Sequence, residues 1–142
     1  MDDLRAYTRW NEGWYPKGGR TALQSLSLLY PEYVKTPAHL AGISGDRDVV
    51  VQRLLSGGGL DESACSWVYV PGFRDDDEPV VAIIWEKQPG IRFNGKRGSG
   101  RAVGFSDGSH AQVSLGAWAK FLEEQEKLRE SALKNRSRGQ SK

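Results

Sequence analysis

Cysteine, histidine and methionine are scarce in this chain: its 142 residues hold one cysteine, Cys65, two histidines, His39 and His110, and one methionine. A lone cysteine excludes an intramolecular disulfide and a thiolate-rich metal site. With so little of the usual catalytic material, the expectation is a protein that is not an enzyme. Long apolar runs are missing as well. None approaches the roughly 18 residues of a transmembrane helix, and Met1-Asp2-Asp3-Leu4-Arg5 has neither the basic region nor the apolar stretch of a signal peptide. The sequence therefore reads as a soluble chain without a membrane span, and it does not by itself fix a compartment.

Nor does one sign of charge dominate. Twenty basic and 18 acidic residues leave a net charge of +2, a field too weak to attract nucleic acid or a membrane surface. Any such partner would have to meet a local patch. Hydrophobic residues make up only 38%, while glycines number 17 and Trp, Tyr and Phe number five, five and four. A small core carried by aromatics, with much loop around it, is the expectation for one domain over residues 1–133.

Leu4, Tyr7 and Trp10 recur at three-residue spacing, which predicts an N-terminal helix with these three turned inward. Glu12 to Gly19 holds a proline and three glycines, so Trp14 and Tyr15 are read as loop aromatics and as candidates for an aromatic surface. Ala22, Leu23, Leu26, Leu29 and Tyr30 trace a second amphipathic helix ended by Pro31. Asp46 caps a third, Arg47 to Leu55, which Gly57-Gly58-Gly59 terminates.

The period then changes from 3.6 to 2. Cys65 to Val70 alternates strictly, Val80 to Trp85 is a β-branched run, and Ala102–Ser106 and His110–Val113 flank Asp107-Gly108, a hairpin signal. Ser114 is a plausible cap for a last helix whose inner stripe is Trp118, Phe121, Leu122, Gln125, Leu128 and Ala132. Residues 134–142 carry Lys134, Arg136, Arg138 and Lys142 with no acidic and no apolar residue, which predicts a disordered basic tail. The fold class expected is α+β: an N-terminal helical segment and further helices packed on one face of a small antiparallel sheet, closed by a C-terminal helix.

Several motifs invite sharper readings. Asp75-Asp76-Asp77-Glu78 offers the oxygen ligands calcium takes, yet no glycine is interleaved at EF-hand spacing, so a solvated loop is expected and no cofactor is assigned. Arg92, Lys96, Arg97 and Arg101, interleaved with Gly95, Gly98 and Gly100, form a basic loop suited to an anionic partner such as nucleic acid or polysaccharide, with the basic tail adding to it. The near-neutral total and the acidic helix beside the tail favour a plain surface loop. Gly95 to Gly100 lacks the order and context of a P-loop. His110, Asp107 and Ser106 lie too close on one hairpin to line up as a catalytic triad. Trp67, Trp85 and Trp118 are assigned to packing, and Cys65 to a small buried hydrophobe.

Four segments in order, over about residues 4–125, resemble the heads of pilin-like proteins, in particular prepilin-type proteins with a His-x9-Asp-Gly domain, relatives of type II secretion pseudopilins. They are Leu4-Arg5-Ala6-Tyr7 leading to Gly13-Trp14-Tyr15-Pro16; Leu28-Leu29-Tyr30-Pro31-Glu32-Tyr33-Val34; Cys65-Ser66-Trp67-Val68-Tyr69-Val70-Pro71-Gly72; and Ile84-Trp85-Glu86-Lys87 through Pro89-Gly90 to Gly104-Phe105-Ser106-Asp107-Gly108. The resemblance implies a non-enzymatic domain working through protein partners or self-association in a filament, secretion or surface assembly, in the periplasm or at the cell surface. It implies calcium in some relatives, bound in a C-terminal loop. Arg97 stands ten positions before Asp107, where the family has its histidine. The family's apolar N-terminal membrane helix would be ending where this chain starts. Many relatives carry a second cysteine where this chain reads Ala41-Gly42-Ile43, which accounts for Cys65 standing alone.

Overall fold

The computed structural model describes residues 2–17, 22–30, 32–34, 40, 47–56, 67–87 and 100–140. Helix α1 runs Asp2–Trp10, α2 Ala22–Leu26 continues as a 3-10 turn over Ser27–Leu29, and α3 is Arg47–Leu55. Strands β1 Trp67–Tyr69, β2 Ala82–Glu86, β3 Gly100–Phe105 and β4 His110–Ser114 follow, then a 3-10 turn Leu115–Ala117 and the 23-residue α4, Trp118–Gln140. The four strands form one antiparallel sheet in the order β1-β2-β3-β4. The architecture is thus the α+β meander with a C-terminal helix that the change of period predicts.

The sheet is covered on both faces, not on one. Val81 and Ile83 join a core with Leu4, Tyr15, Leu23, Leu26, Leu29, Val50, Leu54 and Phe73, whereas Ala82 and Trp85 of β2 pack with Val103 of β3 against Trp118, Phe121 and Leu122 of α4. A one-face expectation fails because Trp85 and Val103 give the second face its own apolar patch. A β-bulge between Ala82 and Ile84 sets this division. The extra residue breaks strict alternation, so Ile83 and Ile84 both contribute to the first core and Trp85 still reaches the second. The Ala82 N–H donates to Gln125 Oε1 of α4 at 2.8 Å, which spares a buried donor.

Three further expectations need correction. Trp10 is 81% exposed, whereas Leu4 and Thr8 are buried and Tyr7 is half-buried, its ring 5.2 Å edge-on from Tyr33. At about 100° per residue, Trp10 lies about 120° around the helix from Leu4 while Thr8 lies within about 40°, so the buried face is i, i+4 and excludes position 10. Ser114 makes no side-chain cap hydrogen bond, and the chain enters α4 through the 3-10 turn Leu115–Ala117. Residues 134–140 are helical, not a disordered tail: α4 continues to Gln140, and its last described side chains bond the opposite loop. One more turn of the Gln125-Leu128-Ala132 stripe lands on Asn135 and Arg136.

The β3–β4 connection is a three-residue loop, Ser106-Asp107-Gly108, with Gly108 at φ +89°. Phe105 N–H donates to Ser109 O at 2.9 Å and Gly108 N–H to Phe105 O at 3.0 Å, the arrangement of a type I turn closed by a glycine bulge. Asp107 Oδ1 accepts from both the N–H and the hydroxyl of Ser109, at 2.9 and 2.5 Å. These bonds, with Arg5 nearby, hold its carboxyl below the ordinary aspartate range. Arg5 of α1 lies so close that a Cβ on Gly108 would run into its guanidinium, so the start of the chain caps the hairpin tip.

Candidate functional site

A groove of about 350 Å³ lies where three distant segments meet: the loop after α1, the acidic loop before β2 and the end of α4. Helix α1 ends because Glu12 and Gly13 take φ of +57° and +85° and the Gly13 N–H returns to Thr8 O at 2.9 Å. The chain then runs extended and pairs with the segment after β1. Trp14 bridges Arg74, Tyr15 N–H donates to Phe73 O at 3.2 Å, and Asp75 N–H donates to Gly13 O at 2.8 Å. This pairing sets Trp14 beside the aspartates.

Trp14 sits among cations. Lys17 Nζ is 3.6 Å from its ring centroid, Arg136 Cζ 4.9 Å and Arg74 Cζ 5.2 Å. Arg136 also lies 5.8 Å from the Phe73 ring. Its Nε donates to Asp77 Oδ1 at 3.2 Å and its Nη2 to Asp77 Oδ2, while Asp77 Oδ2 accepts from the Arg74 N–H at 2.7 Å. Asp77 is buried and satisfied three times over. Asp76, exposed, pairs with Arg74 Nε at 3.2 Å, and Asn135 Nδ2 donates to Glu78 O at 2.9 Å. The acidic run therefore anchors α4 and the Trp14 loop through arginines. No three His, Cys, Asp or Glu side chains stand together as a metal site among the described residues.

The other candidates fall elsewhere. Tyr15 is completely buried, which overturns its reading as a surface aromatic: its ring fills the core and its hydroxyl donates to Ser106 O at 2.6 Å. Burial pushes that phenol up to about 12. Tyr69 is fastened in the same way to Pro16 O at 2.6 Å, and burial raises its pKa further. Arg92, Lys96, Arg97, Cys65 and His39 lie outside the described residues. Arg101 stands 4.6 Å over the Trp118 ring with its Nε 3.3 Å from Lys87 O, and it does not line the Trp14 groove.

His110 is exposed on β4, and the Ser106 hydroxyl accepts from Val81 N–H at 3.0 Å, so the hairpin assembles no nucleophile and base. The sequence reading missed the pairing of Asp77 with Arg136, a contact across 59 positions. The signal available was the periodic stripe of α4 carried one turn past Ala132. Among the described residues no helix is long and apolar enough to cross a membrane. Comparison with family models, with curated proteins and with solved structures gives no match.

Proposed function

We propose that this chain is a pilin-like, non-enzymatic head that works through contacts with other proteins in a filament, secretion or surface assembly outside the cytoplasm. The observation that supports this reading is the division of labour within α1. Its Leu4 and Thr8 seal one face into the domain, while Trp10 projects at the helix end with 81% of its surface in water. A tryptophan there adds nothing to the core, and tryptophan is the residue type most enriched among the anchors of protein interfaces. In the producing cells, a photo-crosslinking residue at position 10 is expected to give discrete adducts with subunits of one assembly. The same residue at exposed Gln52 of α3 is expected to give none. Equal or absent labelling from the two positions would refute the proposal.

A second reading, a module for an anionic partner, draws on the three cations gathered at Trp14. It ranks lower because Asp75, Asp76, Asp77 and Glu78 share that space and Arg74 and Arg136 are already engaged by carboxylates. Tight binding of duplex DNA or an acidic polysaccharide, weakening steeply with salt and lost on neutralising Lys17 and Arg74, would favour it over the first.

A further inference from the structure

The two edges of the sheet are unlike. At β1 the side chains are half-buried or buried, and Tyr69, packed in the core with Leu23 and Leu26 of α2, is tied to Pro16. At β4 four of the five side chains are exposed, Val113 alone being half-buried. The direction of the free main-chain groups follows from the ladder. Phe105 and Ser109 share a hydrogen bond across the turn, and the Ala102 N–H turns toward β2, where it donates to Glu86 Oε1 at 2.8 Å. Because pairs alternate along an antiparallel ladder, Ala111 and Val113 bond β3, while His110 and Gln112 direct N–H and C=O outward together with the Ser114 N–H.

Sheet edges of this kind are usually guarded by lysine, proline, a bulge or an inward charge. Strand β4 reads His-Ala-Gln-Val-Ser and has none of these, with its pairing to β3 in register throughout. We infer that β4 pairs with β4 of a second copy of this chain, antiparallel about a two-fold axis through Gln112, making one continuous eight-stranded sheet.

The strand suits that partner in particular. Centred on Gln112, the three outward-facing residues match one another: Gln112 meets Gln112 of the second copy, and each His110 meets a Ser114. The two Gln112 residues then exchange N–H and C=O, and each Ser114 N–H faces a His110 C=O of the other copy. No like charges are opposed at neutral pH, which a self-pairing strand requires. Leu115, 53% exposed directly after the strand, adds apolar surface beside the seam. A two-fold contact uses the same strand of both copies, so the association closes at two. The inference stands on the sheet alone and does not depend on the pilin-like reading.

Sedimentation equilibrium on the whole chain tests it. The weight-average mass is expected to rise from 15.8 kDa toward twice that value as concentration approaches about 1 mM, the weak end of specific association. Gln112→Lys and Gln112→Glu, each placing like charges face to face, are expected to weaken the dimer by at least about tenfold. Mixing the two variants restores it. Both substitutions fall on an exposed side chain, and circular dichroism confirms that each variant is folded. In the unaltered protein, amide exchange at Gln112 and Ser114 slows as concentration rises. A chain that stays monomeric, a dimer indifferent to both charge variants, or edge amides whose exchange ignores concentration would overturn the inference.

Discussion

Arg136, in the last turns of α4, lays its guanidinium along the carboxylate of Asp77, with Nε on Oδ1 and Nη2 on Oδ2. The side chains retain 18% and 6% exposure, so the pair is largely out of water. Removing one member of such a pair strands the other charge, whereas an exposed pair contributes little.

Asp77→Ala is therefore expected to cost about 3–5 kcal/mol in urea unfolding, because Arg136 and the Arg74 N–H both lose their acceptor. Arg136→Ala costs less, since Asp77 keeps the Arg74 N–H. A double-mutant cycle should give a coupling of about 1–3 kcal/mol. Coupling indistinguishable from zero would mean that the helix end is not held by this contact.

Helix α1 supplies a contrast between neighbours. Leu4→Ala, in the core, should destabilise by about 2–5 kcal/mol. Trp10→Ala should stay within about 0.5 kcal/mol of the parent, as exposed substitutions do. Thermal melts of the two variants side by side decide the matter, and a large loss from Trp10→Ala would contradict the packing described.

Alkali should act through the buried phenols. Tyr15 is raised to about 12 from an unfolded value of 10.0, so its contribution is complete below pH 10. Between pH 10 and 12 the unfolded chain has released a proton that the native state still holds, and stability falls as pH rises. Tyr15→Phe should be less stable at pH 7 by roughly 1–3 kcal/mol, since Ser106 O loses its donor, and should show a shallower decline above pH 10. Urea midpoints across that range test both parts.

Acid acts in the opposite sense at the hairpin. Asp107 is held below its ordinary value by the two Ser109 bonds and by Arg5, so its contribution is present at neutral pH and is lost as pH falls through its lowered value. Asp107→Asn keeps a residue suited to the turn and removes the charge. The variant should lose part of the parent's stability at pH 7 and differ little from it at pH 2.

Much of the scaffold was legible because it is periodic. Helix α3 spans Arg47–Leu55 as its apolar spacing implies, and the strands from β2 onward lie within two residues of their expected limits. Asp107-Gly108 makes a hairpin because glycine alone takes the positive φ without cost. What escaped depends on contacts between segments far apart. A three-residue spacing aims Trp10 at the core only if the helix is imagined as a ladder, and a run of polar, basic residues looks solvated until an aspartate 59 positions earlier is known to face it. The same holds for Tyr15, whose loop neighbours suggested water while its hydroxyl had a carbonyl waiting across the sheet.

The two tyrosine tethers also bear on how this protein can diverge. Each phenol grips a peptide oxygen, Tyr15 that of Ser106 and Tyr69 that of Pro16, and a peptide oxygen is present whatever residue occupies the position. Substitution of Pro16 leaves the grip of Tyr69 chemically available. At position 106 the hydroxyl answers to Val81 and not to Tyr15, so the two constraints there are inherited separately. Selection that preserves the fold thus weighs on the donors at positions 15 and 69 and is lenient toward the acceptors. Relatives can hold the same tie between the first loop, the hairpin and the sheet while sharing few of the residues on its receiving side.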